Sequence, residues 1–153
     1  MSGVMPYLNC FVLSMVPVVE LRGAIPMGIA QGLLPAAVYL VCAAGNLVPV
    51  PLILLLVRWV FKVMKAWGGV WERIVNFMER KAEKASQMIY KYELLGLFIL
   101  VALPLPGTGA WTGALVAALL KIRMKVALPI ITLGVMSAGA VVLAISCGVA
   151  FVV

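Results

Sequence analysis

Histidine and aspartate are absent from this chain, and charge of either sign is scarce. Of its 153 residues only 11% are charged, twelve Lys and Arg against five Glu. A soluble globular domain carries about 25% charged and about 45–50% apolar residues. This chain is 65% hydrophobic, with a mean hydropathy of +1.19. That balance excludes a disordered chain, a disulfide scaffold and almost any soluble enzyme, and it points to an integral membrane protein. Without His there is no imidazole general base and no His metal ligand. No nucleophile–base pair or metal-ligand cluster is evident among the other residues, so neither an enzyme nor a cofactor is expected. Cys10, Cys42 and Cys147 lack C-x-x-C spacing and lie in apolar runs. They read better as small packing residues than as a single disulfide pair plus one thiol. The net charge of +7 is explained by cytoplasmic loops, and no nucleic-acid partner is expected. The amino terminus has no charged n-region or cleavage pattern, so no signal peptide is expected.

What charge there is sorts cleanly. Residues 1–57 hold only Glu20 and Arg22; residues 58–93 hold twelve charges; 94–120 hold none; Lys121, Arg123 and Lys125 form a tight triplet; 126–153 hold none. Lys and Arg mark the cytoplasmic side of short loops, so 58–93 and 121–125 are both expected to be cytoplasmic, with both termini outside the cell membrane. Residues 94–120 would then enter the bilayer and return. The turn is visible as Pro104-Leu105-Pro106-Gly107-Thr108-Gly109, rich in helix breakers. The pattern predicts two half-helices, 94–103 and 109–120, in a re-entrant hairpin, followed by a full span over 126–150 with possible bends at Pro129 and Gly134. In the first half, 36–57 reads as a full span. Before it, Val4–Val19 and Met27–Leu34 flank the segment Glu20–Pro26, which reads as the break of a second hairpin. Gly23, Pro26, Pro104 and Pro106 are the structural break residues.

Short similarity links the halves, Arg22-Gly23-Ala24 with Thr108-Gly109-Ala110, each opening a half-helix rich in small residues. With opposite entry sides this is an inverted repeat, which in transporters places the site at the midplane. The expected fold is therefore all-α: one membrane domain over 1–153, made of a hairpin plus span (1–57), a cytoplasmic amphipathic linker (58–93) and a second hairpin plus span (94–153). Within the linker, Trp67, Trp71, Ile74, Met78, Ala85, Met88 or Ile89, and Tyr92 recur at helical spacing opposite Arg73, Arg80, Lys81 and Lys84. This suits a helix lying on an anionic lipid surface, with a coiled-coil seam as the rival reading.

A charge at mid-membrane costs at least about 2.5–3.5 kcal/mol on insertion scales, so such groups are usually functional or paired. Arg22 is the candidate for an anionic headgroup and Glu20 for a proton carrier; a structural ion pair is the plainer alternative. Gly107, Thr108 and Gly109 are candidates for anion binding through backbone N–H groups at a helix start. Gln31, Asn46, Trp111 and Thr112 read as packing or interhelical hydrogen-bond residues.

Three segments carry a resemblance: Pro17–Pro26, then Gly45-Asn46-Leu47-Val48-Pro49-Val50-Pro51, then Leu103–Gly113. Together they resemble the small multidrug export protein family, which is similar to the wider DedA (SNARE-associated, VTT) superfamily. The resemblance implies two opposed re-entrant hairpins, and from the DedA relatives a role in moving lipids across bilayers, notably the undecaprenyl phosphate carrier. DedA proteins usually carry arginines around the second hairpin's proline. This chain has no charge from Leu94 to Leu120, so phosphate recognition would fall to Arg22 and to backbone amides. The leading expectation is a proton-coupled transporter or flippase for an anionic lipid-linked substrate. An exporter of amphipathic cations and a non-transport assembly or lipid-organising protein are the alternatives. Membrane lipids and a second copy of the chain, as a homodimer, are the expected partners.

Overall fold

A computed structural model describes residues 3–104 and 108–152, with side chains except at 71, 72, 75, 78, 79, 81–91 and 150–152. Seven helices follow in chain order among these residues: α1 (Met5–Met15), α2 (Glu20–Ala30), α3 (Pro35–Leu47), α4 (Pro49–Ala66), α5 (Val70–Ala102), α6 (Ala110–Leu119) and α7 (Met124–Val152). The all-helical expectation holds, with no strand among the described residues. Two stretches are long and apolar enough to cross a membrane, Pro35–Ala66 at a mean hydropathy of 2.4 and Met124–Val149 at 2.3. The first extends further than 36–57 and has a joint at Val48, where Pro49 lacks an N–H and the Val48 amide donates to Gly45 O instead (3.3 Å).

The two breaks are made alike. Val16 ends α1 in an extended conformation (ψ 129°) before Pro17, and Leu103 ends α5 likewise (ψ 122°) before Pro104. A residue preceding proline is pushed out of the helical region. The first break therefore falls at 16–19, and Gly23 and Pro26 lie inside α2 rather than at the turn. Pro26 leaves only the Arg22 carbonyl without its helical donor, a defect that neighbouring helices can absorb. The second break falls where the prolines predict, between Ala102 and Ala110; Pro106 and Gly107 lie outside the described residues. The expected separation of the 58–93 linker from a 94–103 half-helix does not occur. Residues 58–66 continue α4, and helix α5 then runs unbroken from Val70 across the 93/94 boundary to Ala102, since no proline interrupts it and its one glycine, Gly96, costs about 1 kcal/mol. Helix α7 likewise continues through Pro129 and Gly134.

The bundle has two recognisable ends. At one, the Leu34 amide donates to Tyr7 Oη (3.3 Å), joining the start of α1 to the start of α3. At the other, Arg58 Nη2 donates to Ile122 O (2.8 Å), joining the end of α4 to the α6–α7 turn. The Arg58–Lys65 and Lys121–Lys125 clusters thus share an end. Between the ends, a core of small residues lets helices approach: Ala24, Ala110, Ala114, Ala117 and Ala127 are fully buried. Cys10 and Cys42 pack among them, and all three cysteines are free thiols. Meanwhile Leu40, Leu52, Leu55, Leu133 and Ile145 point outward from the two spans, each more than half exposed. A water-soluble surface rarely presents so much contiguous apolar area; a lipid-facing one does.

Gly45 shows how tight the inner packing is, because a Cβ there would collide with Ser14 Oγ and the Phe11 carbonyl of α1. Gly96 faces open space. Gly45→Ala should cost about 1–3 kcal/mol by overpacking. Gly96→Ala should be neutral or gain up to about 1 kcal/mol from helix propensity. Thermal melts of the detergent-purified protein separate the two cases, and an unchanged Tm for Gly45→Ala would contradict this packing.

Candidate functional site

The two breaks meet, and the only two charges of the first 57 residues lie where they meet. Glu20 opens α2 and is buried, at 6% exposure. Its backbone is left-handed (φ 47°), a region that non-glycine residues enter at a cost of about 1–3 kcal/mol and that is over-represented at functional sites. This conformation brings the chain out of the 16–19 turn with the Glu20 carboxyl directed at the start of α6. There the carboxyl lies beside the Trp111 backbone N–H, which favours its charged form. The carboxyl also sits directly on Gly109, the residue preceding α6, where any Cβ would overlap it. A glycine is required here by close approach, not by its dihedral angles.

Arg22, two residues into α2, reaches across as well. Its Nη2 donates to Leu103 O (2.9 Å) and to Thr108 Oγ1 (3.3 Å), so it satisfies the end of α5. Thr108 Oγ1 in turn donates to Leu103 O (3.0 Å). The Arg22 Nε is buried and has no hydrogen-bond partner. Trp111 completes the junction: its indole Nε1 donates to Met15 O (3.1 Å), the last turn of α1.

Of the residues singled out from sequence, the structure brings together Glu20, Arg22, Thr108, Gly109 and Trp111. Glu20 and Arg22 feel each other's charge, yet their hydrogen bonds go to different partners, so they act as two clasps rather than one pair. The group that lies against the start of α6 is the protein's own Glu20 carboxyl. Gly107 lies outside the described residues. Gln31 is exposed at the end of α2. Asn46 is fully buried in α3 with its Oδ1 unpartnered. Sequence reasoning missed the carbonyls of Met15 and Leu103 as acceptors. The signal was available in Val16-Pro17 and Leu103-Pro104, since a helix that ends before proline leaves carbonyls unsatisfied.

The family model described as "Putative small multi-drug export protein" matches residues 20–141. The chain belongs to this family. The match begins at Glu20 and takes in the junction residues Glu20, Arg22, Leu103, Thr108, Gly109 and Trp111. The family description names an export role. No curated protein and no solved structure matches the chain.

The contact between Glu20 and Gly109 generates a test. Gly109→Ala should be destabilising, because the carboxyl must leave its place. In a Glu20→Ala background the same substitution should cost less, with a coupling of about 0.5–3 kcal/mol. A double-mutant cycle read by thermal unfolding measures it, and simple additivity would show that the two residues are not in contact.

Proposed function

We propose that the protein is a proton-coupled membrane transporter for an anionic lipid-linked substrate, a polyprenyl phosphate such as undecaprenyl phosphate, with the Glu20–Arg22 junction as its moving part. The observation that carries this reading is that both charges of α2 clasp a break more than 80 residues away. Ten residues of α6, at 1.5 Å each, separate that junction from the basic end by about 15 Å. This is half of a hydrocarbon core of about 30 Å, the depth at which transporters with opposed hairpins hold their substrates. In this reading α1–α2 and α5–α6 are the two re-entrant hairpins of an inverted repeat, and the basic end is cytoplasmic by its excess of Lys and Arg.

Protonation of Glu20 removes the negative charge that favours the α6 N-terminus, and the clasp between α2 and α6 loosens. Arg22, with one N–H already lacking a partner, exchanges the Leu103 carbonyl for a phosphate oxygen, so that a bond with one charged partner becomes one between opposite charges. Loss of the proton re-forms the clasp and releases the headgroup. The strained backbone of Glu20 suits a residue poised between two arrangements.

The family description favours a second reading, export of amphipathic cations, in which buried Glu20 is the cation's partner. The two differ in their need for Arg22. In proteoliposomes, Glu20→Gln and Arg22→Ala should each reduce flipping of a fluorescent polyprenyl phosphate by at least about tenfold, on the scale of a lost charged contact. Proton flux stimulated by a cationic drug that needs Glu20 but survives Arg22→Ala would select the exporter. Full lipid flipping in both variants would end the proposed mechanism.

A further inference from the structure

A second feature stands apart from the junction, at the opposite end of α6. A cavity of about 650 Å³ opens there between the end of α4 and the α6–α7 turn. Six cations line it, Arg58, Lys62 and Lys65 from α4 and Lys121, Arg123 and Lys125 from the turn and the first residues of α7, with Phe61, Ala118 and Met124 as apolar walls. Among the described residues, no Glu lines it. Arg58 holds the two elements together through Ile122 O, so the cations converge by folding across some 60 residues of sequence.

An excess of Lys and Arg at one end of a bundle is ordinary for a membrane protein. Its convergence on one cavity is not accounted for by topology alone, which needs only that the charges be on one side. All six are exposed at the rim of the cavity, where an anion can reach them, and a basic pocket between membrane helices at one end of a bundle is the kind of site that takes an anionic headgroup. The surroundings indicate which kind. Trp59 and Trp67, 62% and 77% exposed on the same end of α4, mark the level of a membrane–water interface. Leu55 and Leu56, both exposed, continue the outer surface of α4 away from the cavity. A ligand there meets cations at its head and hydrocarbon along its tail.

We infer that this cavity is a binding site for the phosphate headgroup of an anionic membrane phospholipid. The site is independent of the transport reading, because none of its residues contributes to the Glu20–Arg22 junction. Lipid bound here would tie α4 to the α6–α7 turn, in addition to the Arg58 bond, and so anchor the foot of α6.

The test is native mass spectrometry of the detergent-purified full chain, titrated separately with phosphatidylglycerol, phosphatidylcholine and sodium phosphate. Phosphatidylglycerol should bind at least about tenfold more tightly than phosphatidylcholine, in line with the attraction of several basic residues for an anionic headgroup. The triple variant Lys62→Gln, Arg123→Gln, Lys125→Gln should lose that preference. The charge-keeping Lys62→Arg, Lys125→Arg variant should retain it, as should a control with the same loss of charge elsewhere, Arg73→Gln, Arg80→Gln, Lys91→Gln. Displacement of the lipid by millimolar sodium phosphate would assign the cavity to soluble phosphate, and persistence of the lipid would assign it to the phospholipid; either keeps the phosphate site. Equal affinity for the two lipids, or equal loss in the control and the triple variant, would overturn it.

Discussion

The contact between the Glu20 carboxyl and the start of α6 is the constraint around which the rest of the molecule is arranged. A helix interrupted inside an apolar bundle exposes carbonyls on one side of the gap and amides on the other, and hydrocarbon offers neither a partner. This chain interrupts two helical hairpins and lets each supply what the other lacks. The Glu20 carboxyl lies beside the Trp111 amide, Trp111 Nε1 donates to Met15 O, and Arg22 and Thr108 donate to Leu103 O. Each break would be costly alone; facing each other, they are mutually satisfied.

Close approach follows from that arrangement. Bringing the start of α2 onto the start of α6 leaves no room for a side chain at Gly109. Seating α6 and α7 on α5 leaves none at Gly113 and Gly134, both of which face Val101. Small residues therefore collect inside and large aliphatic ones outside, the usual order of a helical protein in lipid, where packing rather than hydrophobic exclusion holds helices together. The outer face needs no partner to explain it beyond the bilayer.

Much of this was legible from residue order. The spans, the α6–α7 turn and the break near Pro104 follow from apolar runs, charge and helix breakers, and the pairing of the two basic clusters at one end follows from the bias of Lys and Arg. What escaped was governed by context. Gly23 and Pro26 look like a break because both are poor helix formers, yet packing on α1, α3 and α7 keeps α2 helical through them. Pro17, a single residue that attracted less weight, sets the turn by forcing Val16 out of the helix. The run 94–103 looks like a separate half-helix because its composition changes at Leu94, but a change from charged to apolar does not interrupt backbone hydrogen bonding, so α5 continues. That Glu20 and Arg22 matter was plain from their isolation; that they clasp the far break rather than each other depends on folding that no local pattern records.

A junction of this kind joins stability to function, since the charges that satisfy two broken helices are also the groups a proton or a phosphate would address. The claim rests on Glu20 holding the first turn of α6. Hydrogen–deuterium exchange of the protein in lipid nanodiscs, compared between wild type and Glu20→Ala, tests it most directly. The account predicts faster exchange confined to the amides of Ala110–Gly113, with the α6–α7 turn unchanged. Equal protection of those amides in both proteins would contradict it.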